Sequence, residues 1–126
     1  MIRNLVLVGL GGGLGTMLRY LTSLGVLRFW GARDLPLGTL TVNTLGCLLI
    51  GVLSGLMLSR QLFSPEFRLF FMVGVLGGFT TFSTGSYESI QLLNDGQLNL
   101  MLANVLLNVT LSLSACWLGL SLTRTI

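Results

Sequence analysis

The run Gly77-Gly78-Phe79-Thr80-Thr81-Phe82-Ser83-Thr84-Gly85-Ser86 lies inside an apolar segment, Phe67 to Leu93, long enough to cross a membrane. Its three glycines and five hydroxyl groups are a poor recipe for a plain lipid-facing helix. Such a cluster weakens the helix, frees backbone carbonyls and places hydrogen-bond donors where water is scarce. Hydrocarbon tolerates this only against protein or a hydrated cavity. The run therefore points to a path for an ion or a polar solute.

Working outward, composition sets the solvent. Of 126 residues, 52% are hydrophobic and 9% are charged, with a mean hydropathy of +0.87. These values describe an integral membrane protein of a single domain, residues 1–126, with no extramembrane stretch long enough for a soluble catalytic unit. The amino end reads as a first spanning helix and not as a cleaved signal, because its apolar stretch runs past Gly15 to Leu27 and contains Arg19. Cys47 and Cys116 each sit in an apolar segment, and the chain has no histidine, so no familiar metal-ligand spacing exists. Paired carboxylates, a His-based dyad and a cofactor loop are also missing from the sequence, which argues against an enzyme.

Four apolar stretches are expected to be helices: Leu5 to Leu27, Leu37 to Leu58, Phe67 to Leu93 and Leu98 to Leu122. Turn and helix-start residues mark the connections at Arg33-Asp34-Leu35-Pro36, at Arg60 to Glu66 and at Asn94-Asp95-Gly96-Gln97. With four spans, Arg3, Arg60, Arg68 and Arg124 fall on one side, against Arg28 and Arg33 on the other. So small a bias specifies orientation weakly, and an antiparallel homodimer of oppositely inserted chains stands beside a single orientation. Gly11 with Gly15, and Gly51 with Gly55, have the spacing of close helix contacts.

Within the spans, Thr39, Thr41, Asn43 and Thr44 gather early in the second helix, and Asn104, Asn108 and Ser112 recur every four residues along the fourth. That recurrence lines one helical face. Taken singly, these residues read as interhelical hydrogen-bond partners; as a set, they line a narrow path. Amides and hydroxyls without a row of carboxylates favour an anion, because N–H and O–H dipoles can replace its hydration shell. The positive edge of the Phe82 ring can add to this. Arg19 and Glu88, ionisable within apolar segments, are functional candidates by default.

The stretch Gly77 to Thr84, together with Gly38-Thr39-Leu40-Thr41-Val42-Asn43, Gly12-Gly13-Leu14-Gly15 and Leu18-Arg19-Tyr20, closely resembles the bacterial fluoride-export channel family, Fluc or CrcB. The resemblance spans essentially the whole chain. It implies an all-α integral membrane protein of the bacterial inner membrane, with four transmembrane helices, the third broken at its centre, assembled as an antiparallel dual-topology homodimer. It implies passive, fluoride-selective export through two pores at the subunit interface, with membrane lipid around it and no nucleic-acid partner. A structural sodium ion (Na+) at the dimer centre would be held by carbonyls mapping onto Gly77 and Thr80. Asn43, Phe82, Asn104, Asn108 and Ser112 would line the fluoride path, with Thr39, Ser83, Thr84, Gly85 and Ser86 nearby. Arg19 would serve a vestibule, and Glu88 gating or the polar track.

One departure stands out: the family pattern continues Thr-Phe-Ser-Thr-Phe-Ser, and here Gly85 takes the place of the second phenylalanine. Two other classes remain open at this stage. A small proton-coupled exporter would need Glu88 as its coupling group, and a non-transporting scaffold would use the same glycines and amides only to hold helices together.

Overall fold

The computed structural model describes residues 1–60 and 63–124, excluding the side chains of Arg60 and Arg124. Gln61 and Leu62 of the expected second connection lie outside the described residues, as do the two arginine side chains counted for orientation. Helix α1 spans Ile2–Trp30 and α2 Leu37–Arg60. The third helical run comprises α3 (Pro65–Phe67), a wide π-helical stretch (Arg68–Leu76), α4 (Gly77–Phe79) and α5 (Phe82–Asn94). Helix α6 spans Leu98–Arg124. Four segments are long and apolar enough to cross a membrane: Ile2–Trp30, Leu37–Ser59, Pro65–Asn94 and Leu98–Thr123. This is an all-helical, multi-pass membrane protein, and each expected span falls within an observed one.

The helix ends follow from local chemistry. Ser64 accepts a hydrogen bond from the Phe67 amide at 3.2 Å and Pro65 follows it, so a side-chain oxygen and a residue without an N–H open α3 together. At the far end of α5, Gly96 adopts φ 74°. Its amide bonds to Leu93 O at 3.0 Å while the Gln97 amide bonds to Leu92 O at 2.8 Å. This paired closure satisfies the last carbonyls and reverses the chain toward α6.

Packing divides into two pairs, with α2 laid along α6 and α1 along the π-helical stretch. Glycines set both distances. A Cβ on Gly11 or Gly15 would collide with the carbonyls of Phe70 or Val75, and one on Gly51 would strike Cys116 O. On α6, Gly119 meets the α2 backbone at Leu48 and Val52 in the same way. Gly55 makes room for the Thr123 side chain, so both GxxxG spacings are close helix contacts, which is how membrane helices attract one another without a hydrophobic drive. At the membrane edge, Phe63 stacks on Phe67 with centroids 4.2 Å apart, and Arg3 pairs with Glu66 at 2.6 Å. The ion pair is exposed, so the ring stack and the glycine contacts carry more of this end's stability.

Candidate functional site

Between α4 and α5 the backbone leaves the helical region for two residues: Thr80 has φ −80°, ψ 157° and Thr81 has φ −154°, ψ 113°. Extended backbone at membrane depth carries polar groups that water cannot reach, so they need partners from the protein. Asn43 of α2 supplies them. Its Oδ1 accepts from the Thr81 amide at 2.8 Å and its Nδ2 donates to Thr81 O at 3.0 Å. One carboxamide thus replaces the strand neighbour that an extended residue would otherwise require. Thr81 in turn caps α5, its Oγ1 accepting from the Thr84 amide at 3.2 Å.

From Asn43 a head-to-tail series of hydrogen bonds runs along α6. Asn43 Nδ2 also donates to Asn108 Oδ1 at 3.0 Å, Asn108 Nδ2 to Asn104 Oδ1 at 3.0 Å, and Asn104 Nδ2 to Ser89 Oγ at 2.9 Å. Ser89 Oγ closes the series on Gly85 O at 2.7 Å. Asn104 is fully buried, with 0% exposure. A buried amide without partners would be costly, and here every donor has one, each bond polarising the next.

This series forms one wall of a cleft of about 690 Å³. Asn43, Thr81, Phe82, Gly85, Ser86, Ser89, Asn104, Asn108 and Ser112 line it, as do Gly77 and Thr80, against apolar residues such as Ile50, Met72, Val105 and Leu113. Ser86 spends its hydroxyl on Phe82 O at 2.9 Å. Ser112 makes no hydrogen bond to any described residue and leaves its hydroxyl free in the cleft. Phe82 is 86% exposed, so nothing within this chain covers the ring.

Other expected residues gather elsewhere. Thr39, Thr84 and Glu88 line a smaller side cavity of about 380 Å³ near the α1–α2 connection, where Thr39 Oγ1 donates to Glu88 Oε1 at 2.7 Å. Ser83 is exposed and within 3.3 Å of Thr81 Oγ1. Arg19 lines neither cavity; it is half-buried on α1, with Nη1 3.5 Å from Thr80 O. Gly85 stands between the two groups. A Cβ built there would meet only Thr39 Cγ2 at 3.6 Å and Asn108 Oδ1 at 4.0 Å, both ordinary contacts.

Two site residues were not singled out from the sequence. Thr81 was read only as part of the polar run, though its backbone is what Asn43 holds. Ser89 is buried beneath Asn104, and the available signal was its position one turn after Gly85, where a serine hydroxyl reaches back to the preceding carbonyl.

The chain is thus a compact bundle of membrane-crossing helices carrying an open, largely apolar cleft with a series of amides along one wall. Comparison with known proteins narrows this. The family described as CrcB-like protein, Camphor Resistance (CrcB), matches residues 6–120. A protein of Pseudomonas putida (strain F1) named fluoride-specific ion channel FluC is 45% identical over 124 residues, covering 98% of this chain and 99% of that protein. Proteins of the same name from Hydrogenovibrio crunogenus and Pyrococcus horikoshii are 43% and 42% identical, covering 94% and 95% of this chain and 89% and 95% of their own. The chain belongs to the CrcB family.

Proposed function

We propose that this chain is the subunit of a fluoride-selective channel that lets fluoride leave the cell passively through two pores of an antiparallel, dual-topology homodimer in the bacterial inner membrane. The observation that carries the reading is the amide and hydroxyl series from Asn43 to Ser89 along a cleft that the single chain leaves open. The free Ser112 hydroxyl and the extended backbone at Thr80 and Thr81 on an open membrane-depth face call for a protein or aqueous neighbour and not lipid. A second copy of the chain supplies one, and the small arginine bias, four against two, suits a partner inserted the other way up.

The residues have distinct tasks in this reading. Fluoride loses a strongly bound hydration shell on entry, and only groups that donate hydrogen bonds replace it. Ser112 offers a free hydroxyl. Asn43 and Asn108 offer amide N–H groups already committed to protein acceptors, so an arriving anion competes with a carbonyl or carboxamide oxygen and is held without being trapped. The Phe82 ring edge provides a weakly positive, apolar contact. Arg19 raises the local concentration of anions by its field. Ser83, Thr84 and Ser86 supply polar surface next to the ring, and Thr39 with Glu88 forms the track toward the side cavity.

The sodium ion that the family resemblance implies fits the residues present. The Thr81 amide, which would complete a helical turn onto Gly77 O, is instead given to Asn43, and Thr80 O meets only the long contact from Arg19. Gly77 and Thr80 would hold the ion through these carbonyl oxygens, a donor set suited to a hard cation. When bound, it would offset the partial negative charge of these carbonyl oxygens. Among the described residues no cluster of His, Cys, Asp or Glu offers a competing metal site.

Gly85 leaves the path without the second ring of the family pattern. We infer slower or less selective passage, because one ring edge is absent from each pore of a homodimer. Efflux of fluoride and chloride from liposomes, compared with Gly85→Phe, tests both levels. Selective fluoride efflux supports the channel, and faster or more selective efflux by Gly85→Phe supports the role of the missing ring. Absence of fluoride efflux from both proteins overturns the channel, while equal rates and selectivity overturn only the role assigned to Gly85.

A further inference from the structure

The side cavity contains a carboxylate oxygen without a partner. Glu88 Oε1 is satisfied by Thr39, whereas Oε2 is buried and accepts no hydrogen bond from the described residues. An oxygen of an ionised carboxylate left in this state is costly, and the cost falls only if a proton, a cation or a donor reaches it. Arg33 lines the same cavity of about 380 Å³, from the connection that follows Gly31. Its Nε donates to Trp30 O at 3.2 Å, while its two terminal nitrogens have no partner among the described residues. Arg28 and Asp34 flank this connection in sequence but do not line the cavity.

We propose that Arg33 is the counter-ion of Glu88: its guanidinium swings from the end of α1 across the side cavity to Glu88 Oε2 and closes the cavity where α1 meets α2. Several features suit that motion. Arginine keeps its charge in any such setting and offers several donors in a planar fork, so it can hold Trp30 O or a carboxylate oxygen with little rearrangement. Gly31, at φ 71°, turns the chain sharply out of α1 and sets the connection apart from the helix. Ser23 and Thr84, also in the cavity wall, offer hydroxyls along the way. Arg33 is a positioning residue here, acting through Glu88. The pairing rests on the geometry alone; its effect on flux rests on the channel reading above, in which a closed side cavity blocks the track at Thr39.

A stability cycle on the purified full chain, comparing Arg33→Gln, Glu88→Gln and the double variant by thermal unfolding, tests the pairing. Arg33→Gln is expected to lower the midpoint by about 4 °C, and adding Glu88→Gln to that variant is expected to raise it again, because the stranded charge is gone. If Glu88→Gln raises the midpoint equally with or without Arg33, or if Arg33→Gln has no effect, the pairing is overturned. A second measurement uses Arg33→Cys with Glu88→Cys in a Cys47→Ser, Cys116→Ser background in membranes. Oxidation is expected to form a disulfide between them, read as a mobility shift on a non-reducing gel that reductant reverses. Failure to cross-link in folded protein counts against the pairing. A coupled stability cycle in a protein that conducts no fluoride would keep the pairing and reject the channel reading.

Discussion

At the scale of single residues, Asn43 does the most with one side chain. It satisfies both backbone groups of Thr81 and begins the series that runs to Gly85 O. Asn43→Leu keeps the branching and the number of side-chain heavy atoms and has none of these bonds. It is expected to lower stability by about 2–4 kcal/mol, since it strands a buried amide and a carbonyl at membrane depth. Thermal unfolding in detergent checks this, and a change within about 0.5 kcal/mol would show that Thr81 finds other partners. Asn108→Leu interrupts the series further along and leaves Thr81 held. It is expected to cost less stability than Asn43→Leu while reducing fluoride efflux at least as much, which liposome flux and unfolding measured side by side would separate. Importance of Asn43, Asn104 and Asn108 was legible in the sequence, because amides are expensive in a membrane and these three stand out by position. The partners of Asn43 were not legible, since a backbone acceptor leaves no trace in residue type.

At the scale of elements, glycine decides how closely the helices approach. Gly15 of α1 lies against Val75 O in the π-helical stretch, with no room for a Cβ. Gly15→Val is expected to force the pair apart and to cost about 2–4 kcal/mol, well above the propensity difference between the two residues. The measurable result is a lower unfolding midpoint and loss of folded protein on size-exclusion chromatography. Gly13 has open space around its Cβ position, so Gly13→Ala should be tolerated and serves as the matched control. Gly96 tests a different physics: at φ 74° a Cβ is disfavoured, and Gly96→Ala is expected to cost about 1–2 kcal/mol through the closure of α5. The spacing of Gly11 with Gly15 and Gly51 with Gly55 identified contact faces from sequence. Which helix each face meets depends on the whole bundle, and the widening of Arg68–Leu76 into a π-helix follows no residue pattern visible in Arg68 to Leu76 itself.

At the scale of the whole molecule, the cleft holding Phe82 and Ser112 stays open in one chain, so the proposed function requires a second copy. With Arg3, Arg60, Arg68 and Arg124 on one side against Arg28 and Arg33 on the other, insertion in both orientations is expected to be near balance. Adding two lysines beside Asp34 and, in a second variant, two beside Arg3 places charge on opposite sides of the four-span bundle. Each variant alone should bias the population to one orientation and lose flux, while co-expression of a pair biased in opposite directions should recover it. Labelling of single cysteines from each side of the membrane reads the orientation. Full flux from a population inserted one way would remove the need for an antiparallel partner.

Membrane residence and four spans follow from the sequence alone, as do the contact glycines and the polar character of the path. Each rests on residue type and spacing, which is where hydropathy, small-residue contact and the cost of buried polar groups are encoded. The tertiary structure decided the rest. It joined Asn43 to Thr81 and separated Thr39, Thr84 and Glu88 into a side cavity with Arg33. It also placed Gly85 between that cavity and the main cleft. These relations connect residues tens of positions apart through backbone atoms and empty volume, and neither has a letter in the sequence.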